Sequence, residues 1–176
     1  MTEESRSSSR AIAVDILIED VAWGAEEVLR PLIERVVSAV AASGALDIPD
    51  EAELSLVLTD DARIRVLNQT HRGIDKPTNV LSFPVYDPGE PIGPMLGDIV
   101  IARETTTREA AEEAKPFEDH VSHLLVHGLL HLLGFDHEDD GEAEVMEQLE
   151  IDILATLDIA DPYGCATAAS HDETVK

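Results

Sequence analysis

The sequence has almost no cysteine: Cys165 is the only one in 176 residues. A single thiol excludes an intrachain disulfide framework and any metal site built from several cysteines. Aromatic side chains are also scarce, at 3%, so a folded core must be filled by Leu, Ile, Val and Ala. No apolar run approaches the ~20 residues that a membrane span requires. The opening MTEESRSSSR is followed by no apolar leader segment, so the expectation is a cytoplasmic protein with no membrane contact. Positive charge is short as well, with 12 Lys and Arg against 37 Asp and Glu, a formal net charge of −25.

Taken alone, that charge argues against nucleic acid as a ligand, because binding a polyanion rests on neutralising its phosphates. The distribution changes the argument. Residues 62–82 carry Arg63, Arg65, Arg72 and Lys76 against Asp75 alone, whereas residues 116–176 carry Lys176 against 15 acids. Most of the negative charge reads as a solvated surface that keeps the chain in solution. The segment 62–82 stands apart as a candidate for facing an anion.

What the chain does have is aliphatic periodicity. Hydrophobic residues make up 44%, enough for one domain, placed at 11–160 between polar tails at 1–10 and 161–176. Residues 11–18 put Ile12, Val14, Ile16 and Ile18 on one face at period two, the pattern of a strand. A helix over about 24–43 follows, with Pro31 kinking it or opening its second part, and Gly44 stops it. Residues 53–59 alternate Leu54, Leu56 and Leu58 as a second strand, and Thr59 and Asp60 are N-cap residues for a helix to about Gln69. Residues 79–85 read as a strand that Pro84 ends or confines to an edge. A fourth strand spans 97–102. Helices at 103–115, 117–133 and 140–157 complete the chain, the last with Val145, Leu149 and Ile153 inward and its acids in solvent. The class is α+β: a mixed, mostly parallel four-stranded sheet packed with about five helices, its first two strands parallel.

Four of the seven histidines lie in one helical stretch, DHVSHLLVHGLLHLLGFDH. At ~100° per residue, His120, His123, His127 and His131 share one face. The rest of 124–133 is Leu, Val and Gly, so that helix is buried. An unpaired buried imidazole costs ~1–3 kcal/mol, and a metal ion would satisfy several at once. His127 and His131 stand at i, i+4, and Gly134 can end the helix so that His137 approaches the same point. The spacing H-x3-H-x5-H, with Gly three residues after the second His, is similar to the zinc ligands of metzincin proteases. Three imidazoles and one open position suit a catalytic ion. His123 with His127, or His120 with His123, are competing pairs without a following Gly-turn-His. Zincins place Glu directly after the first His as general base; here that position is Gly128.

HGLLHLLGFDH at 127–137 resembles the signature of the YbeY family of bacterial endoribonucleases, the rRNA maturation factors. LNQTHRGIDKPTNVLSFP at 67–84 is similar to that family's other shared segment. GDIVIA at 97–102 and EAEVMEQLEIDIL at 142–154 also fit, in the same order, across about 11–163. Phe135 stands where the family often has Tyr. The resemblance implies a fold with a mixed sheet ringed by helices, and a zinc-dependent, single-strand-specific endoribonuclease with one zinc per chain. It also implies work in 16S rRNA 3′-end maturation and ribosome quality control. His127, His131 and His137 match the family's zinc ligands and Arg72 its arginine of RNA cleavage. Implied partners are the rRNA of the small subunit, a small-subunit ribosomal protein and an Era-type GTPase.

Arg72 lies in the only cationic segment, placed by the periodicity in a loop before the 79–85 strand. A guanidinium there can bind a phosphate with paired donors, and Lys76 is a candidate substrate-binding residue adding a point charge. Asp136 either orients a ligand imidazole or caps the turn. Two other functions fit parts of the sequence. One is a ribosome-assembly factor with a mainly structural metal, suited by the acidity; the other is a metzincin-like hydrolase, opposed by Gly128. Attack by water or by the RNA's 2′-hydroxyl are both compatible with these residues, as are nickel, copper or cobalt in place of zinc.

Overall fold

The computed structural model describes residues 11–87, 89–136 and 138–163. Strand β1 (Ile12–Ile18) leads through a short 3-10 turn at Val21–Trp23 to helix α1 (Glu26–Ala41) and strand β2 (Ala52–Thr59). Helix α2 (Asp61–Arg72), strand β3 (Val80–Pro84) and strand β4 (Met95–Ala102) follow. Three helices, α3 (Arg103–Glu112), α4 (Phe117–Leu132) and α5 (Asp140–Ala155), finish the described chain. The sheet order is β1-β2-β4-β3. β1 pairs parallel with β2 and β2 with β4, while β3 runs antiparallel to β4 on the edge. This is the mixed, mostly parallel four-stranded sheet with five helices expected of the sequence.

Leu54, Leu56 and Leu58 of β2 and Leu96, Ile99 and Ile101 of β4 point into one large core with α1, α4 and α5. The other face of the sheet is closed by α2, whose Ile64 packs with Leu81, Val100 and Ala102. Pro31 does not open a second helix: α1 runs through it as one element. The proline sits on the exposed side, where water can take the carbonyl that its missing N–H leaves. Trp23, the single tryptophan, donates from Nε1 to the Thr59 carbonyl at 2.8 Å and packs on Phe117. That contact ties the first crossover to the start of α4.

Two caps matter for the site. Asp60 accepts from the Arg63 N–H at 2.8 Å, and Gly73 ends α2 in the left-handed conformation at φ 73°, which a side chain would strain. α2 therefore extends past Gln69 to Arg72, which is the last helical residue and not part of a loop. At the other end of the sheet, Gly97 sits where β3 closes on β4. A β-carbon there would stand 2.2 Å from the Phe83 carbonyl oxygen, so only glycine permits this pairing.

α5 also departs from expectation. Its buried residues are Met146, Glu150, Ile153 and Leu154, while Val145 is 54% exposed. Ile153 is inward as expected and Leu149 packs half-buried against the core, but Met146 takes the place of Val145 and Glu150 carries an acid into the interior.

Candidate active site

α4 is buried nearly all round, and its histidine face is the exception. His120, His123, His127 and His131 line one side of a cavity of about 800 Å³. Arg72 from the end of α2, Asn79 before β3, and Glu109 from α3 line it as well. The sheet holds α4 in this orientation through Gly128, where a β-carbon would stand 3.0 Å from Ile99 Cδ1 and 3.1 Å from Ser82 Oγ. The position that carries the zincin glutamate thus faces the sheet at close range, where even a β-carbon crowds Ile99 and Ser82. The structure does not favour a metzincin-like general base at position 128.

His127 and His131 are brought together. Their Nε2 atoms lie 3.1 Å apart. On the far side of each ring, Nδ1 meets an oxygen that can only accept. His127 Nδ1 donates to Glu150 Oε1, and His131 Nδ1 donates to the Phe135 carbonyl at 3.0 Å. The acceptors place a proton on Nδ1 of both rings and turn both Nε2 atoms toward the same point. Two such nitrogens, with their lone pairs available, suit a shared cation. Two imidazoles on a tetrahedral zinc with Zn–N of ~2.0–2.1 Å would stand about 3.3 Å apart, close to the observed separation. The donor set and its orientation fit a metal ion.

Local sequence explains the second of these hydrogen bonds. Gly134 takes φ 98°, and the Phe135 N–H returns to the Leu130 carbonyl at 3.0 Å. This turn swings the Phe135 carbonyl under His131 and leads Asp136 to the rim of the cavity. His137, the third expected ligand, lies outside the described residues. Among the described residues no group of three His, Cys, Asp or Glu is arranged to hold a metal ion.

The remaining histidines have other partners. His120 Nε2 pairs with Glu109 Oε1 at 2.9 Å, and Asn79 donates to the same oxygen at 2.9 Å. Burial pushes the Glu109 carboxyl up, but hydrogen bonds from His120 and Asn79 outweigh it and hold the pKa below its ordinary value. His123 Nε2 faces Glu150 Oε2 at 3.4 Å and the Tyr163 hydroxyl at 3.2 Å. Burial lowers the His123 pKa and keeps that ring neutral. Its ring centre lies 6.3 Å from that of His127, against 4.6 Å between His127 and His131. The 127/131 pair is the one that converges.

The cations of 62–82 divide into two groups. Arg65 is held by Asp75 through two bonds of 2.8 and 3.1 Å, and Arg63 faces Glu19 at 3.9 Å. Arg72 contacts the buried Asn68 through Nη1 at 3.4 Å and has no carboxylate partner among the described residues. Lys76 is exposed and outside the cavity lining; its carbonyl accepts from Asn68 at 2.9 Å.

Sequence reasoning missed Glu150, Glu109, Asn79 and Tyr163. The sequence pattern places Glu150 on a solvated acidic face, yet its side chain is fully buried. The signal was its position four residues from both Met146 and Leu154, which puts an acid on an apolar face. Burial disfavours its ionisation, but hydrogen bonds from His123 and His127 prevail and hold its pKa down to about 2. Tyr163 falls where a tail was expected from 161, and it stands against His123 and Glu150 at the cavity.

Comparison with known proteins agrees with this picture. Residues 18–158 match the family model described as Endoribonuclease YbeY. A protein named Endoribonuclease YbeY from Rhizobium johnstonii is 55% identical over 85% of this chain and 92% of its own length. One of the same name from Chelativorans sp. is 53% identical over 91% of this chain and 98% of its own. The solution structure of TM1509 from Thermotoga maritima superposes with a TM-score of 0.53 at 25% identity, covering 86% of this chain and 99% of that one. The chain belongs to the YbeY endoribonuclease family.

Proposed function

We propose that this protein is a zinc-dependent endoribonuclease that cleaves single-stranded RNA, with one zinc per chain held by His127, His131 and His137. The observation that carries the reading is the pair of Nε2 atoms 3.1 Å apart, each backed by an acceptor at Nδ1, in a cavity that Arg72 also lines. Zinc in such a site supplies Lewis acidity toward a phosphodiester. Arg72 binds the phosphate with paired donors and keeps it near the histidines. Its position as the last residue of α2 fixes the base of the side chain, which a loop would not. Lys76 meets the RNA outside the cavity as a second, looser charge. The acidic remainder of the surface repels nonspecific RNA, so that productive binding is confined to this cavity.

The substrate we assign is the rRNA of the small subunit, in 16S 3′-end maturation and ribosome quality control, in the cytoplasm. A small-subunit ribosomal protein and an Era-type GTPase are the proposed partners. The catalytic unit is a single domain over 11–160. No helix among the described residues is long and apolar enough to cross a membrane. The test is cleavage of a labelled RNA as a single strand and as a duplex of the same sequence, before and after chelation. Cleavage of the single strand alone, lost on chelation and restored by zinc, is the expected result. Equal cleavage with and without metal would overturn the assignment.

A further inference from the structure

Glu150 is the only carboxylate buried among the described residues, and it is 0% exposed. Ionised carboxylates are costly in an interior unless they are fully paired. Here none of the partners is a lysine or arginine. Oε1 accepts from His127 Nδ1; Oε2 accepts from the Tyr163 hydroxyl and faces His123 Nε2 at 3.4 Å. The neighbours of Glu150 on the inward face of α5 are Met146, Ile153 and Leu154. A carboxylate does something an aliphatic side chain cannot: it dictates which ring nitrogen of His127 carries the proton.

We propose that Glu150 is a positioning residue for the metal centre, fixing His127 in the Nδ1–H form with Nε2 directed at the point it shares with His131. The inference rests on the reading of His127 as a metal ligand. It assigns α5 a role beyond packing, as the layer that orients the α4 histidines. It also divides the labour within the site. The backbone turn at Gly134 and Phe135 orients His131, whereas a side chain from a different helix orients His127. His127 is therefore the ligand whose orientation a single substitution outside the ligand set can remove.

The experiment uses the full chain and the metal alone as probe. Zinc affinity is measured by competition with a chromophoric chelator for wild type, Glu150→Gln, Glu150→Leu and Tyr163→Phe, with cobalt(II) absorption reporting coordination. Glutamine keeps one acceptor and leucine keeps none, so affinity is expected to fall in the order wild type, Gln, Leu. The total loss should be about 10- to 100-fold, as for other outer partners of metal-bound histidines. Tyr163→Phe removes a donor to Oε2 and leaves His127 its acceptor, so its affinity should stay within about threefold of wild type. A measurement independent of whether the variants fold is the nitrogen-15 spectrum of metal-free wild type, in which His127 should carry its proton on Nδ1. Protonation on Nε2 there, or equal zinc affinity of wild type and Glu150→Leu, overturns the inference alone. Failure of wild type to bind zinc overturns the ligand reading and the inference with it.

Discussion

Gly128 gives the most discriminating prediction about packing, because two effects of substitution oppose each other there. Alanine is the better helix former by ~1 kcal/mol. Its β-carbon would stand 3.0 and 3.2 Å from two atoms of Ile99 and 3.1 Å from Ser82 Oγ. Ile99 is 0% exposed in β4, so it has no solvent to retreat into, and overpacking of this kind costs ~1–3 kcal/mol. The net expectation for Gly128→Ala is destabilisation by about 1 kcal/mol. Gly128→Glu adds a carboxylate with neither room nor a cation. Burying an unpaired charge costs several kcal/mol more, comparable with the whole ~5–15 kcal/mol that holds a typical domain together. Urea unfolding followed by circular dichroism, on wild type and both variants, measures this. A Gly128→Glu protein as stable as wild type would refute the packing argument, and one that gained peptidase activity would reinstate the zincin chemistry.

Three further outcomes follow from the site and its supports. Arg72→Ala should lower the cleavage rate about 10²- to 10³-fold, the usual scale for removing one electrostatic contact to a reacting group, with urea unfolding unchanged because the side chain is exposed; undiminished cleavage would remove it from the site. Asp139 accepts from the Glu142 N–H at 2.8 Å at the start of α5, so Asp139→Ala should cost ~1 kcal/mol in unfolding free energy; an unchanged midpoint would show that the cap contributes nothing. The folded pKa of Glu109 lies below its unfolded value, so its stabilisation is present above the ordinary carboxylate pKa of ~4.3 and is lost as pH falls through the folded value. Thermal melts should therefore show wild type losing its advantage over Glu109→Gln below about pH 4, and parallel curves from pH 7 to 3 would contradict this.

The parts of the molecule legible in the sequence are those set by short-range pattern. Period-two leucines at 54, 56 and 58 define β2, and Asp60 marks the start of α2 where the structure has it. The i, i+4 spacing puts His127 and His131 on one face. His123 and His127 share that spacing, yet their ring centres stand 6.3 Å apart against 4.6 Å, so the following Gly134 turn and the partners at each Nδ1 complete the convergence. What was not legible depends on neighbours remote in sequence. Nothing within α5 says that Glu150 meets His127, because the contact spans two helices. That Met146 and not Val145 turns inward is not written in the pattern of α5, since both are apolar. The end of α2 is a different case. Gly73 is available as the stop signal, but the polar run Asn68, Gln69 and Thr70 has no apolar periodicity to carry the helix forward, so the sequence pattern alone leaves Arg72 in a loop. The capping geometry at Gly73 decides it.

The most direct test of the central claim pairs two measurements on one preparation: metal content, and cleavage of a precursor of small-subunit rRNA, with wild type beside His131→Ala. The expected result is one zinc per chain and cleavage in wild type, with both lost in His131→Ala while circular dichroism stays the same. Equal cleavage by the two proteins, whatever their zinc content, would contradict a nuclease built on these histidines.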